Sequence, residues 1–132
     1  MGDGERELAA QLLERAADDA AAASALLEVA GVSDAIVGFH AQQAVEKAIK
    51  AVLTSRRIDY PFTHDLELLA ALADRAGTPL PVGLDDVPRL TPYAASLRYG
   101  ELAPGIVDRA TALRWAQSAV VWAREVTSLP GD

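Results

Sequence analysis

The amino-acid sequence predicts an all-α fold, an antiparallel up-and-down helical bundle with short extra helices, on three observations. Apolar residues recur at three- and four-residue steps over most of the chain. Alternating β-branched runs of the kind that build strands are nearly absent. Capping residues, glycines and prolines punctuate the helical stretches and leave only modest loops between them. At 132 residues without a cysteine, the chain is expected to form one domain over its whole length, with a core built without disulfides.

The first helix is expected over about Glu5–Ala30, where Leu8, Leu12, Ala16, Ala23, Leu27 and Ala30 repeat at helical spacing. Gly31 would close it in a left-handed conformation. The run Ala20–Ala23 offers small side chains that let another helix approach closely. Ser33 caps a second helix running to about Ser55, with Asp34 in its first turn at the positive end of the dipole. Val37, Ala41, Ala44, Ala48 and Val52 form its apolar face, and Glu46–Lys50 reads as an exposed i,i+4 pair. Thr63 is expected to cap a third helix over about His64–Ala76, and Gly77-Thr78-Pro79 to stop it. The stretch TPLPVGLDDVP reads as a loop. Thr91 then caps a short helix with Pro92 at its first position, ending at Gly100. Asp108 caps the last helix, to about Leu129, before Pro130. Its wide apolar stripe includes Ala112, Trp115, Ala116, Ala119, Trp122, Ala123 and Val126. Val121 and Leu113 lie off that stripe and suggest a face for a second subunit.

Charge and composition exclude several function classes. A net charge of −7 argues against broad electrostatic binding to DNA or other nucleic acid, which needs clustered Lys and Arg. No apolar run approaches the ~20 residues of a membrane span. The beginning MGDGERELAA lacks the basic-then-apolar pattern of a secretory signal, so the expectation is a cytoplasmic protein. His40 and His64 stand far apart in sequence and form no metal-binding motif, so no metal or cofactor is expected. No Gly-rich phosphate loop and no nucleophilic serine on a strained turn are present.

Two constellations remain. His40, Gln43 and Lys47 fall at steps of three and four and share one face of the second helix, with Lys50 and Thr54 extending the line. On the residues alone this is either a solvated polar stripe, with His40 packed on its neighbours, or a surface that meets a partner, a nucleotide or a second subunit. Arg98-Tyr99 either clamps a phosphate or stacks on a base, or fills the bundle end with a buried Arg–carboxylate pair. No catalytic residue is assigned.

FHAQQAVEKAIKAVL at 39–53, TH-DL at Thr63–Leu66 and LTPYAASLRYG at 90–100 together resemble the HEPN domain family of bacteria and archaea. The resemblance covers most of the chain, from the region of Asp18 to the last helix. It implies an up-and-down bundle that commonly forms homodimers. Many members are encoded beside a minimal nucleotidyltransferase and act with it as a two-part, toxin–antitoxin-like system. It also implies that Phe39, His40, Gln43, Glu46 and Lys47 belong to a recurrent signature. In the favoured reading Phe39 packs, His40, Gln43 and Lys47 look toward a polar cleft, and Arg98 and Tyr99 approach it from the short helix.

Other members of the family are metal-independent ribonucleases in which an Arg is followed four to six residues later by a His. Here Arg98 is followed by Tyr-Gly-Glu-Leu-Ala-Pro, and no histidine lies beyond His64. The tyrosine that follows that His in adenylylated toxins is missing with it. The expectation is therefore a dimeric partner subunit of a nucleotidyltransferase, with nucleotide or RNA as ligand and without intrinsic activity. An endoribonuclease toxin is the alternative.

Overall fold

The computed structural model describes residues 2–95 and 107–128, and among them it is helical without a strand. The α-helices are α1 (Asp3–Leu26), α2 (Asp34–Ser55), α3 (Leu66–Arg75) and α4 (Arg109–Thr127), with a 3₁₀ turn at Val87–Leu90. None is long and apolar enough to cross a membrane.

Helix α2 is the axis of the fold. It packs against α1, α4, α3 and the 3₁₀ turn, so its buried residues run around most of its circumference. Its contacts with α1 and α4 are lined by alanines: Ala9, Ala16, Ala20 and Ala23 on α1, Ala41, Ala44, Ala48 and Ala51 on α2, and Ala112, Ala116, Ala119 and Ala123 on α4. Small side chains let the helices approach closely, and the attraction comes from many short backbone and Cβ contacts. Larger residues, among them Ile49, Leu53, Leu66, Leu69 and Leu90, fill the space toward α3.

The stripe of α1 sits one residue later than its leucines suggest. Ala9, Leu13, Ala16, Ala20 and Ala23 are buried, whereas Leu8 is 47% exposed and Ala30 lies outside the helix. Where two helices come close, alanine takes the contact line and leucine the flank. Leu113, expected to face a second subunit, is buried against Ala23 and Val37, because α4 also touches α1. Val121 is 51% exposed, as its position off the stripe implies.

Helix ends follow side-chain and tertiary partners. The Ser33 hydroxyl accepts from Ile36 N–H and the Asp108 carboxylate from Thr111 N–H, as expected. The Thr111 hydroxyl and N–H together hold the Asp108 carboxyl below its ordinary range. That cap therefore stabilises the fold at neutral pH, and its contribution is lost as pH falls through the lowered value.

Helix α1 stops at Leu26, four residues before the expected end. In a longer helix the Leu27 carbonyl would await the N–H of Gly31. It accepts instead from the Arg109 guanidinium at 3.0 Å, while the same group donates to Val32 O at 2.6 Å and to Asp34 Oδ1 at 2.7 Å. Gly31 is left-handed (φ 88°), but within the following turn.

Helix α3 starts at Leu66, not His64, because Asp65 is its cap and accepts from Glu67 and Leu68 N–H. The Thr63 hydroxyl accepts from Asp65 N–H, one step earlier. The Thr91 hydroxyl, expected to cap its own helix, accepts from Leu66 N–H across the fold. Within TPLPVGLDDVP, read as loop, Val87 begins the 3₁₀ turn, since Val87 and Leu90 are both buried on a one-turn spacing. Residues 93–95 are helical, as expected, and the rest of that short helix lies outside the described residues.

Tyr93 packs on Gly38 of α2, where any Cβ would overlap its ring, and its hydroxyl donates to Val107 O while accepting from Val107 N–H. Gly38→Ala gains about 1 kcal/mol of helix propensity but overpacks this contact, at about 1–3 kcal/mol. Chemical denaturation should show a net loss of stability. A variant as stable as the parent would remove the Gly38–Tyr93 contact as a constraint.

Candidate functional site

The polar line on α2 divides around two carboxylates, and each carboxylate holds one histidine and one lysine. On the α1 side Asp19 receives His40 Nδ1 at 3.0 Å through one oxygen and Lys47 Nζ at 2.7 Å through the other. Toward α3, Glu46 Oε1 receives His64 Nδ1 and Gln42 Nε2, each at 2.8 Å, and Oε2 receives Lys50 Nζ at 3.0 Å. An ionised carboxylate only accepts, so both imidazoles carry a proton on Nδ1 and keep Nε2 for other contacts.

Helical spacing explains half of this arrangement. Gln42, Glu46 and Lys50 follow one another at four-residue steps, and His40 and Lys47 lie two turns apart on one side. The other half comes from elsewhere in the chain: Asp19 from α1 and His64 from the link after α2. Glu46, expected to form an exposed pair with Lys50, is buried at 5% side-chain exposure, and Lys50 is largely covered at 13%, because that link crosses over them. The Gln42 amide, fully buried, donates also to His64 O at 3.4 Å and accepts from Gln43 Nε2 at 2.7 Å. No buried side-chain polar atom among the described residues is left without a partner.

The link adds an aromatic edge. Lys50 Nζ lies 5.7 Å from the Tyr60 ring centre and 6.0 Å from that of Phe62, and the Phe62 and His64 rings meet edge-on at 6.1 Å. Tyr60 OH is 3.2 Å from Thr54 Oγ1, which ends the line on α2. Phe62 itself is 98% exposed, a large apolar group directly beside the half-exposed His64.

Of the residues singled out in the sequence, His40, Gln43 and Lys47 therefore share a face, and each has a partner within the fold. Phe39, expected to pack, is half-buried and meets the His40 ring edge-on at 5.5 Å. Arg98 and Tyr99 lie outside the described residues. Asp19 carries no sequence signal that separates it from its neighbour Asp18, whereas Gln42 could have been found from the four-residue spacing it shares with Glu46 and Lys50. Among the described residues, no group of three or more His, Asp or Glu side chains is arranged to hold a metal ion.

A sequence profile described as the HEPN domain matches residues 9–129. No curated protein and no solved structure matches the chain.

The two carboxylate clusters differ in burial, and that difference sets their energetic weight. Glu46→Ala leaves the Lys50 ammonium without its carboxylate and the Gln42 amide with only the longer bond to His64 O, in a largely buried site, and should cost about 3 kcal/mol or more. Lys47→Ala removes one arm of a partly exposed pair and should cost about 1 kcal/mol or less. Parallel urea melts test the ranking, and equal losses would refute it.

Proposed function

The chain belongs to the HEPN domain family, and on that premise we propose that it is a binding subunit, the dimeric partner of a minimal nucleotidyltransferase in a toxin–antitoxin-like pair. In this reading the face carrying His40, Gln43 and Lys47 engages the partner or a nucleotide, Arg98 and Tyr99 take part in the same binding, and no chemistry of its own is performed. The observation that carries the reading is the pair of carboxylate-anchored His–Lys sets along one helix. Both imidazoles and both ammonium groups are fixed in place before any ligand arrives, which lowers the ordering cost of binding. Each set holds an imidazole and an ammonium group around one carboxylate on its own flank of α2, and their remaining donors suit an acidic partner surface or a phosphate. For the dimer, the half-exposed Val121 and the fully exposed Val82 supply apolar surface.

One observation favours the ribonuclease reading. His64 is half exposed and has a buried carboxylate behind it, the arrangement that orients a general base. Against it stands the absence of any histidine after Arg98.

The test combines binding and cleavage. Gln43→Ala and Lys47→Ala should weaken binding of ATP or of an adjacently encoded nucleotidyltransferase by about 2 kcal/mol, measured by titration calorimetry. The parent should leave RNA intact in the presence of a chelator. Metal-free RNA cleavage that disappears in His64→Ala would overturn the binding-subunit reading and establish the nuclease.

A further inference from the structure

We propose that the groove between α3 and the segment 79–88 is a second interaction surface, which takes a basic amphipathic segment of a partner protein. It lies apart from the polar face of α2 and goes beyond the function proposed above.

Helix α3 buries Leu66, Leu69 and Ala73 against the core. The flank beside that stripe, where a bundle helix ordinarily carries long polar residues, presents the partly exposed Ala70 and Ala71. The segment 79–88 stands across from these alanines, and the two walls enclose a groove of about 290 Å³. Leu80, Leu84 and Pro88 complete an apolar lining, and Glu67, Asp74 and Asp85 stand around it. These three carboxylates are exposed and take part in no ion pair among the described residues. Among the described residues no Lys or Arg lines the groove; Arg75 and Arg89 are sequence neighbours of lining residues but not part of it.

The groove is braced at both ends. Thr78 donates through both its N–H (3.0 Å) and its hydroxyl (3.2 Å) to Ala73 O, near the end of α3. Thr91 accepts from Leu66 N–H at the start of α3. Between them, Pro79, Pro81 and Pro88 restrict the backbone, and turns close from Leu84 N–H to Pro81 O and from Val87 N–H to Leu84 O. A wall held in this way keeps its shape without a ligand.

Its chemistry selects the occupant. An apolar floor seats one or two aliphatic side chains, and a ring of unpaired carboxylates is answered by lysine or arginine flanking them. A second copy of this chain, at net charge −7, brings the wrong sign. A bare cation would leave the apolar floor uncovered.

The test is ¹H–¹⁵N NMR of the full chain titrated with a synthetic amphipathic peptide of lysine, leucine and alanine in helical repeat, beside its glutamate-for-lysine counterpart. The lysine peptide should shift resonances of α3 and of residues 79–88, and the glutamate peptide should not. Ala70→Trp, which fills the groove, and the double variant Asp74→Lys/Asp85→Lys, which reverses its rim, should each weaken binding about tenfold or more. Melting curves establish that each variant is folded, and the rim variant tests the proposal if the groove variant is not. Absence of binding, equal binding of both peptides, or shifts spread over the acidic surface and indifferent to both variants would overturn the proposal. Loss of nucleotide binding at Lys47 has no bearing on it, so the two readings fail separately.

Discussion

A carboxylate on the buried side of the central helix is the constraint around which this end of the molecule is organised. Glu46 is almost shut off from bulk water, since the link after α2 crosses over it. Its charge has to be met inside, and Gln42, Lys50 and His64 meet it. Two of these come with the helix, but the third requires the chain after α2 to return across it. That return brings the His64 carbonyl to the Gln42 amide and places Asp65 where it caps α3. The start of α3 and the aromatic edge of Tyr60, Phe62 and His64 both follow from the path that Glu46 demands.

Asp19 plays a related part on the opposite flank. The contacts between α1 and α2 are made by alanines, whose small, similar side chains interlock weakly and leave neighbouring registers close in packing energy. Asp19 reaches two residues of α2 that lie two turns apart, His40 and Lys47. A slide of either helix along the other would break one of those bonds. The polar groups on this face thus fix how the apolar surfaces are aligned, whatever else they bind.

Much of this fold was legible in the sequence because it depends on local chemistry. The extent of α2 follows from its period, from Ser33 at its head and from the long run of good helix formers. Asp108 announces α4 in the same way. Sites where the structure departs from that reading share a different cause. Leu8 and Leu113 exchange roles because two alanine-lined helices lie close enough for α4 to touch α1. Thr91 serves the N–H of Leu66, 25 positions away, instead of its own helix. The common face of His40, Gln43 and Lys47 could be read from spacing, since it lies within one helix. Their partners could not, because Asp19 and His64 arrive from other elements and no local pattern distinguishes them. Glu46–Lys50 shows the same limit, since its spacing announces a pair while its burial depends on the link that covers it.

Arg109, the first residue of α4, donates to the backbone of the turn between α1 and α2 and to the head of α2. The chain between these groups is some eighty positions long, so the turn nearest the N-terminus is completed by a residue near the C-terminus. During synthesis α1 and α2 emerge and pair early, through contacts local to one hairpin. The carbonyls of Leu27 and Val32 must remain hydrated until the final helix leaves the ribosome. The hairpin is thus made first and its corner last, so the most sequence-local turn of the bundle matures only once α4 has been translated.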